Sequence, residues 1–249
     1  MAVIHRTTMN PTKLELIAAW LPQQPWYVGS LSAPELTKAG GFRLDDPEGE
    51  VGIEFMAVTD TSGDRPLTYH VPLTYRAAPL DGAERWLVGT SEHGVLGLRW
   101  VYDGTHDPVL VAQLPALLQG RAEPQAQNVA DTPDPSVAHS FSGTRAELVV
   151  ESSSVADGPH ATDLLVRTRG CPVDQPGRIG ETSPGAEDGR TDGATGASLT
   201  LRVTRVLHAD APSPGTAADD GALGAVVAGW RLPTGEECRG RFIVARAER

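Results

Sequence analysis

The segment from Pro66 to Gly120, PLTYHVPLTYRAAPLDGAERWLVGTSEHGVLGLRWVYDGTHDPVLVAQLPALLQG, decides the fold. In residues 67–76 the odd-numbered positions are apolar and the even-numbered positions carry threonine, histidine and arginine. This alternation predicts a strand with one buried face and one solvent-exposed (wet) face. Pro72 cannot donate a ladder hydrogen bond, so it places this strand at a sheet edge or on a bulge. After a turn and a second strand, Asp107 and Pro108 have the chemistry of an N-cap and a first helical residue. The stretch therefore predicts a hairpin that leads into a leucine-rich helix.

The residues before this segment predict one helix and one further strand. Asn10 followed by Pro11 is typical of a helix start. The apolar face of that helix comprises Leu14, Ile17, Ala18 and Leu21. After the turn signals near residue 47, apolar alternation predicts a strand from Val51 to Thr59.

The composition changes after residue 120. Residues 121–137 are polar and proline-bearing, which predicts a linker with polyproline II character between a unit at 1–120 and a second unit at 138–249. Strands of the second unit are predicted near 148–151, 162–168, 198–207, 225–232 and 239–246. Two insertions, 170–197 and 209–221, are rich in Gly, Asp, Thr and Pro and are predicted to be disordered.

Charge and cysteine content exclude several classes of function. The formal net charge of −11 over 249 residues argues against nucleic acid or an anionic membrane as a partner. No run of about 18 apolar residues occurs, so a soluble cytoplasmic protein is expected. Cys171 and Cys238 show no metal-ligand spacing, and no metal or other cofactor is expected. Among the basic residues only Lys13 and Lys38 are lysine, a bias typical of GC-rich bacterial genes.

Two sets of residues could carry chemistry. Gly40-Gly41 and the glycines of Gly94–Gly97 lack the context of a phosphate-binding loop, so turns are the better interpretation. His93, Asp103 and His106 could act in acid–base catalysis, although their spacing matches no ligand or triad pattern and Asp107 already has a structural role as a cap.

Five tryptophans could form a surface on which sugars stack, although core packing is the commoner fate of such residues. They are Trp20, Trp26, Trp86, Trp100 and Trp230. Trp26 is expected to be the one least committed to the core, because proline and glycine lie near it.

The central segment resembles the N-terminal cap of bacterial maltokinases, enzymes that phosphorylate maltose with ATP in the conversion of trehalose to α-glucan. The resemblance rests on two motifs. The first comprises Tyr69, Val71, Pro72, Leu73, Tyr75 and Arg76, and the second Val101, Tyr102, Asp103, His106, Asp107 and Pro108. It implies a curved antiparallel sheet with one or two short helices, similar to the cystatin arrangement, and an α+β fold class for the chain.

The resemblance implies no catalytic residue, because no HxD with a following Asn and no DFG-like Asp occurs after residue 120. A free-standing, non-catalytic accessory protein that binds an enzyme of maltose, trehalose or glycogen metabolism is therefore expected. The alternatives are an α-glucan-binding module, or an enzyme that uses His93, Asp103 and His106. The candidate binding residues are Trp26, Tyr69, Tyr75, Arg76, Trp100, Tyr102, Asp103 and His106.

Overall fold

The computed structural model describes residues 9–29, 32–129, 131–144, 146–171, 196–208 and 221–248. Most of both predicted insertions, 172–195 and 209–220, lies outside these residues. The ends of the first insertion are described and are strand residues: Gly170 and Cys171 end one strand, and Gly196 and Ala197 begin the next.

The described residues contain two α-helices and fourteen strands. The helices are α1 (Lys13–Trp20) and α2 (Pro108–Leu118). The strands are β1 (Met9–Asn10), β2 (Leu36–Leu44), β3 (Gly52–Asp60), β4 (Leu67–Arg76), β5 (Leu87–His93), β6 (Gly97–Asp103), β7 (Gln125–Ala126), β8 (Ala138–Phe141), β9 (Glu147–Asp157), β10 (Ala161–Cys171), β11 (Gly196–Thr204), β12 (Val206–Leu207), β13 (Ala222–Arg231) and β14 (Glu237–Ala247). Short 3₁₀ turns span Leu21–Gln23, Glu84–Trp86 and Gly104–His106.

All strand pairs are antiparallel, and six strand positions close into a ring. The main order is β1-β5-β6-β4-β3-β2-β13-β14-β11-β10-β9. β12 continues β11 beyond Arg205 and pairs with β4, where Val206 lies opposite Tyr69. The path β4-β3-β2-β13-β14-β11/β12 therefore returns to β4, and strands from both halves of the chain share one sheet. The division into units at residues 120 and 137 stays a prediction.

Both faces of the central strands are buried. Successive side chains of β3 alternate between two hydrophobic clusters: Phe55 packs with α2 and the strands of the second half, and Met56 packs with α1. The predicted wet face of β4 is therefore wrong, since Thr68, His70 and Thr74 are all buried. The second half of the chain covers that face.

Pro72 occupies an interior strand, where the sequence predicted an edge or a bulge. The backbone N–H of His70 donates to the carbonyl of Arg205 at 2.8 Å, so the nitrogen of Pro72, two residues further, faces the same side. On that side the β12 pairing ends at Tyr69 and the β6 pairing begins at Leu73. The missing donor of Pro72 therefore lies in a gap between two ladders.

Gly40 and Gly41 lie within β2, so the predicted turn there is wrong. A Cβ on Gly40 would lie 2.9 Å from the Gly229 carbonyl oxygen, and one on Gly41 would lie 1.9 Å from that of Phe55. β2 and β13 pair through Gly40 and Trp230. The glycine pair lets the two strands approach closely enough to close the ring.

The start of α1 differs from its prediction. The N-cap is Thr12 instead of Asn10, and Thr12 and Glu15 form a reciprocal capping box. Asp107 caps α2 as predicted, with its carboxylate accepting from Val109 N at 2.9 Å. α2 continues without a break through Pro115.

The predicted strands of the second half are confirmed, and the fold class is confirmed in part. The protein is mostly antiparallel sheet with two short helices, which is more β structure than an α+β class suggests. Within the predicted linker, β7 pairs with β2. In the described part of the chain, no helix has the length and apolar character needed to cross a membrane.

Candidate functional site

A fully buried arginine anchors the second predicted motif. The Nη2 of Arg205, between β11 and β12, donates to Asp103 Oδ2 at 2.6 Å and to Thr105 Oγ1 at 2.9 Å. Its Nε donates to Thr162 Oγ1 at 2.8 Å. Asp103 ends β6, so this network joins the two halves of the chain.

Two of the predicted aromatic residues belong to the same buried cluster. The guanidinium of Arg205 lies 4.7 Å from the centroid of the Trp26 ring, which lies 6.1 Å from that of Tyr69. Both aromatic residues are fully buried, so the prediction that Trp26 is the tryptophan least committed to the core is wrong. Burial raises the pKa of Tyr69 to about 12.

His70 lies next to this cluster, inside the ring of strands. Its Nδ1 lies 2.9 Å from the carbonyl oxygen of Thr204, and its imidazole lies 4.4 Å from the ring of Phe242. Burial lowers the pKa of His70 to about 3, and the nearby charge of Arg205 adds to this effect. His70 is therefore neutral at physiological pH.

Arg76 and Asp107 link the two motifs directly. The Nε and Nη2 of Arg76 donate to the two carboxylate oxygens of Asp107, each at 2.6 Å. Asp107 thus caps α2 and accepts a bidentate ion pair at the same time. Its hydrogen bonds raise the pKa of Arg76.

Tyr75 lies in a separate polar group near α1. Its hydroxyl donates to Glu54 Oε2 at 2.6 Å, and Lys13 Nζ donates to the same oxygen at 2.5 Å. Burial by itself would raise the pKa of Glu54, but the charge of Lys13 and these two hydrogen bonds hold it below its ordinary value. Burial, followed by the charge of Glu54, raises the pKa of Tyr75.

The predicted residues of β6 do not form a common surface. Tyr102 is buried, and its hydroxyl accepts from Leu80 N at 2.9 Å. Trp100 is half-buried and pairs with Arg76 on β4 and with Thr90 on β5. The buried ring of Tyr102 therefore offers no face on which a sugar could stack.

Among the candidate binding residues, His106 borders an open groove, which Trp20 and Trp86 of the five tryptophans also line. Its imidazole stacks on the indole of Trp86 with centroids 4.2 Å apart and planes inclined by 12°. Its Nε2 lies 4.0 Å from Asp157 Oδ2, too far for a hydrogen bond. Burial lowers the pKa of His106, although the carboxylates of Asp103 and Asp157 oppose this.

The groove has a volume of about 790 Å³, within the range of small-molecule sites. We call it the Trp86 groove. The end of α1, the 3₁₀ turn before β5, and β9 form its walls. Its polar and aromatic lining residues are Trp20, Gln23, Gln24, Glu84, Arg85, Trp86, His106 and Asp157.

The three residues of the catalytic alternative do not come together. His93 ends β5, and its ring nitrogen accepts from the backbone N–H groups of Val95 and Leu96 in its own turn. It pairs with Gly97 at the start of β6, whereas Asp103 is six residues further along that strand, about 20 Å away. The described residues also contain no group of three or more His, Cys, Asp or Glu that could hold a metal ion.

Sequence analysis missed Arg205 and most of the Trp86 groove. The sequence does carry a signal for Arg205. Alternate residues of this strand are otherwise apolar, namely Leu199, Leu201, Val203 and Leu207, so Arg205 falls on the buried face. A charge on a buried face needs a buried partner. Gln23, Gln24 and Asp157 show no comparable signal. The two glutamines lie far from Asp157 in the chain, and only the fold brings them together.

A comparison with known protein families finds a match in the first half of the chain, in the region that carries the two motifs. Residues 20–107 match the maltokinase N-terminal cap domain. The match confirms the resemblance seen in the two motifs, and it covers roughly a third of the 249 residues. The match ends at Asp107, the cap of α2, so Arg205 lies outside the matched region, whereas its partners Asp103 and Thr105 lie within it. No curated protein matches the chain.

Proposed function

We propose that the protein is a non-catalytic accessory protein of maltose, trehalose or α-glucan metabolism, and that it acts by binding a partner enzyme. The maltokinase cap domain supplies the metabolic context. The observation that carries the proposal is an apolar tip on the β5–β6 hairpin.

The hairpin tip comprises residues 91–99; β1 pairs with its β5 side at Glu92 and His93, and its β6 side projects past β4. β6 pairs with β4 only from Trp100 onwards, so Gly97–Arg99 pair with β5 alone. The tip exposes three large apolar side chains: Val95 is 60%, Leu96 45% and Leu98 38% exposed. A contiguous patch of exposed apolar side chains marks a site of protein interaction, and we take these three neighbouring side chains as such a patch.

Internal use of the motif residues supports a role without catalysis. Asp103 is paired with Arg205, and Asp107 with Arg76 and the first turn of α2. Each of these groups already has the partners that its burial requires. We therefore expect the pure protein to show no maltose-dependent phosphate transfer from ATP, and such turnover would contradict this part of the proposal.

Binding to purified trehalose synthase and maltosyltransferase, measured by biolayer interferometry, tests the partner. The wild type should bind one of them, and the triple variant Val95→Ser, Leu96→Ser, Leu98→Thr should lose at least tenfold in affinity. A matched control is Val149→Thr with Leu165→Thr, two residues on β9 and β10 that are each 38% exposed. The proposal fails if the wild type binds neither enzyme, or if the control weakens binding as much as the tip variant.

The alternative function is α-glucan binding. The sugar-stacking surface expected of the tryptophans has no support at Trp26, because its ring is fully buried. The Trp86 groove favours this function instead, and its chemistry is considered next.

A further inference from the structure

The Trp86 groove offers both hydrogen-bond donors and acceptors beside an aromatic ring. The Nε2 of Gln23 donates to the Ala19 carbonyl and that of Gln24 to the Trp20 carbonyl, each at 3.2 Å. The amide oxygen of each side chain remains an acceptor. Two carboxylates, Glu84 and Asp157, add further acceptors to the lining.

Asp157 has one oxygen available to a ligand. Its Oδ1 accepts from Thr162 Oγ1 at 2.6 Å, whereas its Oδ2 has no donor within hydrogen-bond distance among the described residues. Arg85 also lines the groove and forms no ion pair with any described carboxylate. The groove thus has a guanidinium donor and a free carboxylate oxygen facing the same space.

The aromatic part of the groove is held in place. His106 is 93% buried at its side chain and stacks on the indole of Trp86, which fixes the plane of that ring. Trp86 itself is half-buried, so part of the indole borders the groove. A rigid aromatic surface next to polar groups suits a ligand with apolar C–H patches and hydroxyl groups.

The charges indicate a neutral ligand. Glu84 and Asp157 contribute two negative charges and Arg85 one positive charge, so the lining has no strong excess of either sign. An anion would meet two carboxylates, and a cation would meet the guanidinium. Hydroxyl groups both donate and accept, so a polyol can use the amide oxygens, the carboxylates and the guanidinium together.

We infer that the Trp86 groove binds a neutral oligosaccharide, with Trp86 as the stacking surface and Gln23, Gln24, Arg85 and Asp157 as its hydrogen-bonding partners. His106 is a positioning residue that orients the indole. This inference is independent of partner binding, because the hairpin tip lies at the far end of β5, about 20 Å from Leu87.

Calorimetric titration of the full chain with maltotriose tests the site. The wild type should bind saturably with a Kd below about 1 mM, and Trp86→Ala and Gln24→Ala should each weaken binding at least tenfold. Trp100→Ala is the matched control, because Trp100 is also half-buried but lies outside the groove, and its Kd should stay within twofold of the wild type. Gln24→Ala keeps the test valid if the Trp86 variant does not fold.

Two further ligands test the chemical class. Cellotriose should also bind if the groove recognises oligosaccharides through their shared hydroxyl groups, and spermidine should not bind. Binding of spermidine without either sugar would show that the carboxylates form a cation site and would overturn the inference. So would a wild type that binds neither sugar at 10 mM, roughly ten times the Kd expected above. Sugar binding that both groove variants retain would overturn it as well. Failure here leaves the hairpin-tip experiment unaffected.

Discussion

Arg205 Nη2 lies 2.6 Å from Asp103 Oδ2, with the two side chains 0% and 3% exposed, and 102 residues separate them in the chain. Replacing Arg205 by Met should lower the free energy of unfolding by about 3–5 kcal/mol, because Asp103 would keep a buried charge without its partner. Denaturant unfolding measures this loss.

The double variant Asp103→Asn, Arg205→Met separates the ion pair from general packing. It should lose less than the sum of the two single variants, since no unpaired charge is left behind. Arg239→Met, on an exposed part of β14, should stay within about 0.5 kcal/mol of the wild type. A loss below about 1 kcal/mol for Arg205→Met would contradict the anchoring role.

Replacing Asp107 should lower the free energy of unfolding by more than the loss of a helix cap alone. Asp107→Ala removes the cap, for about 0.5–2 kcal/mol, and also the charge-assisted hydrogen bonds from Arg76. We therefore expect a loss of more than about 2 kcal/mol in chemical denaturation. Asp107→Asn keeps a capping oxygen and should lie between the wild type and the alanine variant. Equal stability of the two variants would show that only the ion pair matters.

His70 should make the fold sensitive to acid. Its pKa is near 6.5 when unfolded and about 3 when folded, so the unfolded chain binds the proton first as the pH falls. Stability from the neutral, buried ring is present above pH 6.5 and is lost on acidification between pH 6.5 and pH 3, by up to about 1.4 kcal/mol per pH unit.

The non-titrating variant His70→Gln isolates this effect. Its stability should fall less steeply than that of the wild type between pH 7 and pH 4, as measured by urea unfolding at each pH. His106 acts in the same direction, because its pKa is also lowered, but it is present in both proteins and cancels in the comparison. Parallel stability curves would mean that His70 is not the acid-sensitive group.

Gly41 should tolerate no side chain. Its φ of +122° disfavours L-residues, and a Cβ would lie 1.9 Å from the carbonyl oxygen of Phe55. Gly41→Ala should therefore cost about 2–5 kcal/mol or prevent folding. Gly49→Ala is the control, because its φ is +74° but no atom lies within 4 Å of the added Cβ. It should cost about 1–2 kcal/mol, and a similar loss for both glycines would show that backbone strain alone decides.

Local chemistry allowed the sequence to predict most elements. The alternation in β4 and in the second-half strands is a property of neighbouring residues, and so is the cap at Asp107. The two motifs predicted the cap domain, which the family match confirms. These features depend on residues that are adjacent in the chain.

Long-range packing decided what the sequence could not predict. Thr68, His70 and Thr74 look like a wet face because the strands that bury them lie in the second half. Trp26 follows Pro25 in what looks like a loop, yet it lies under the guanidinium of Arg205. The Trp86 groove likewise needs β9 to approach the end of α1.

Closure of the strand ring also has a consequence for folding during synthesis, because β4 is made long before its partner β12. The Thr204 carbonyl that His70 contacts lies 134 residues further along the chain. At typical translation rates, on the order of ten seconds pass between the emergence of β4 and that of its partner β12. During this interval the Nδ1 of His70 lacks the Thr204 carbonyl, and the edge of β4 that β12 later covers can pair with other chains. The cap region of a nascent chain should therefore depend on chaperones until Arg205 leaves the ribosome.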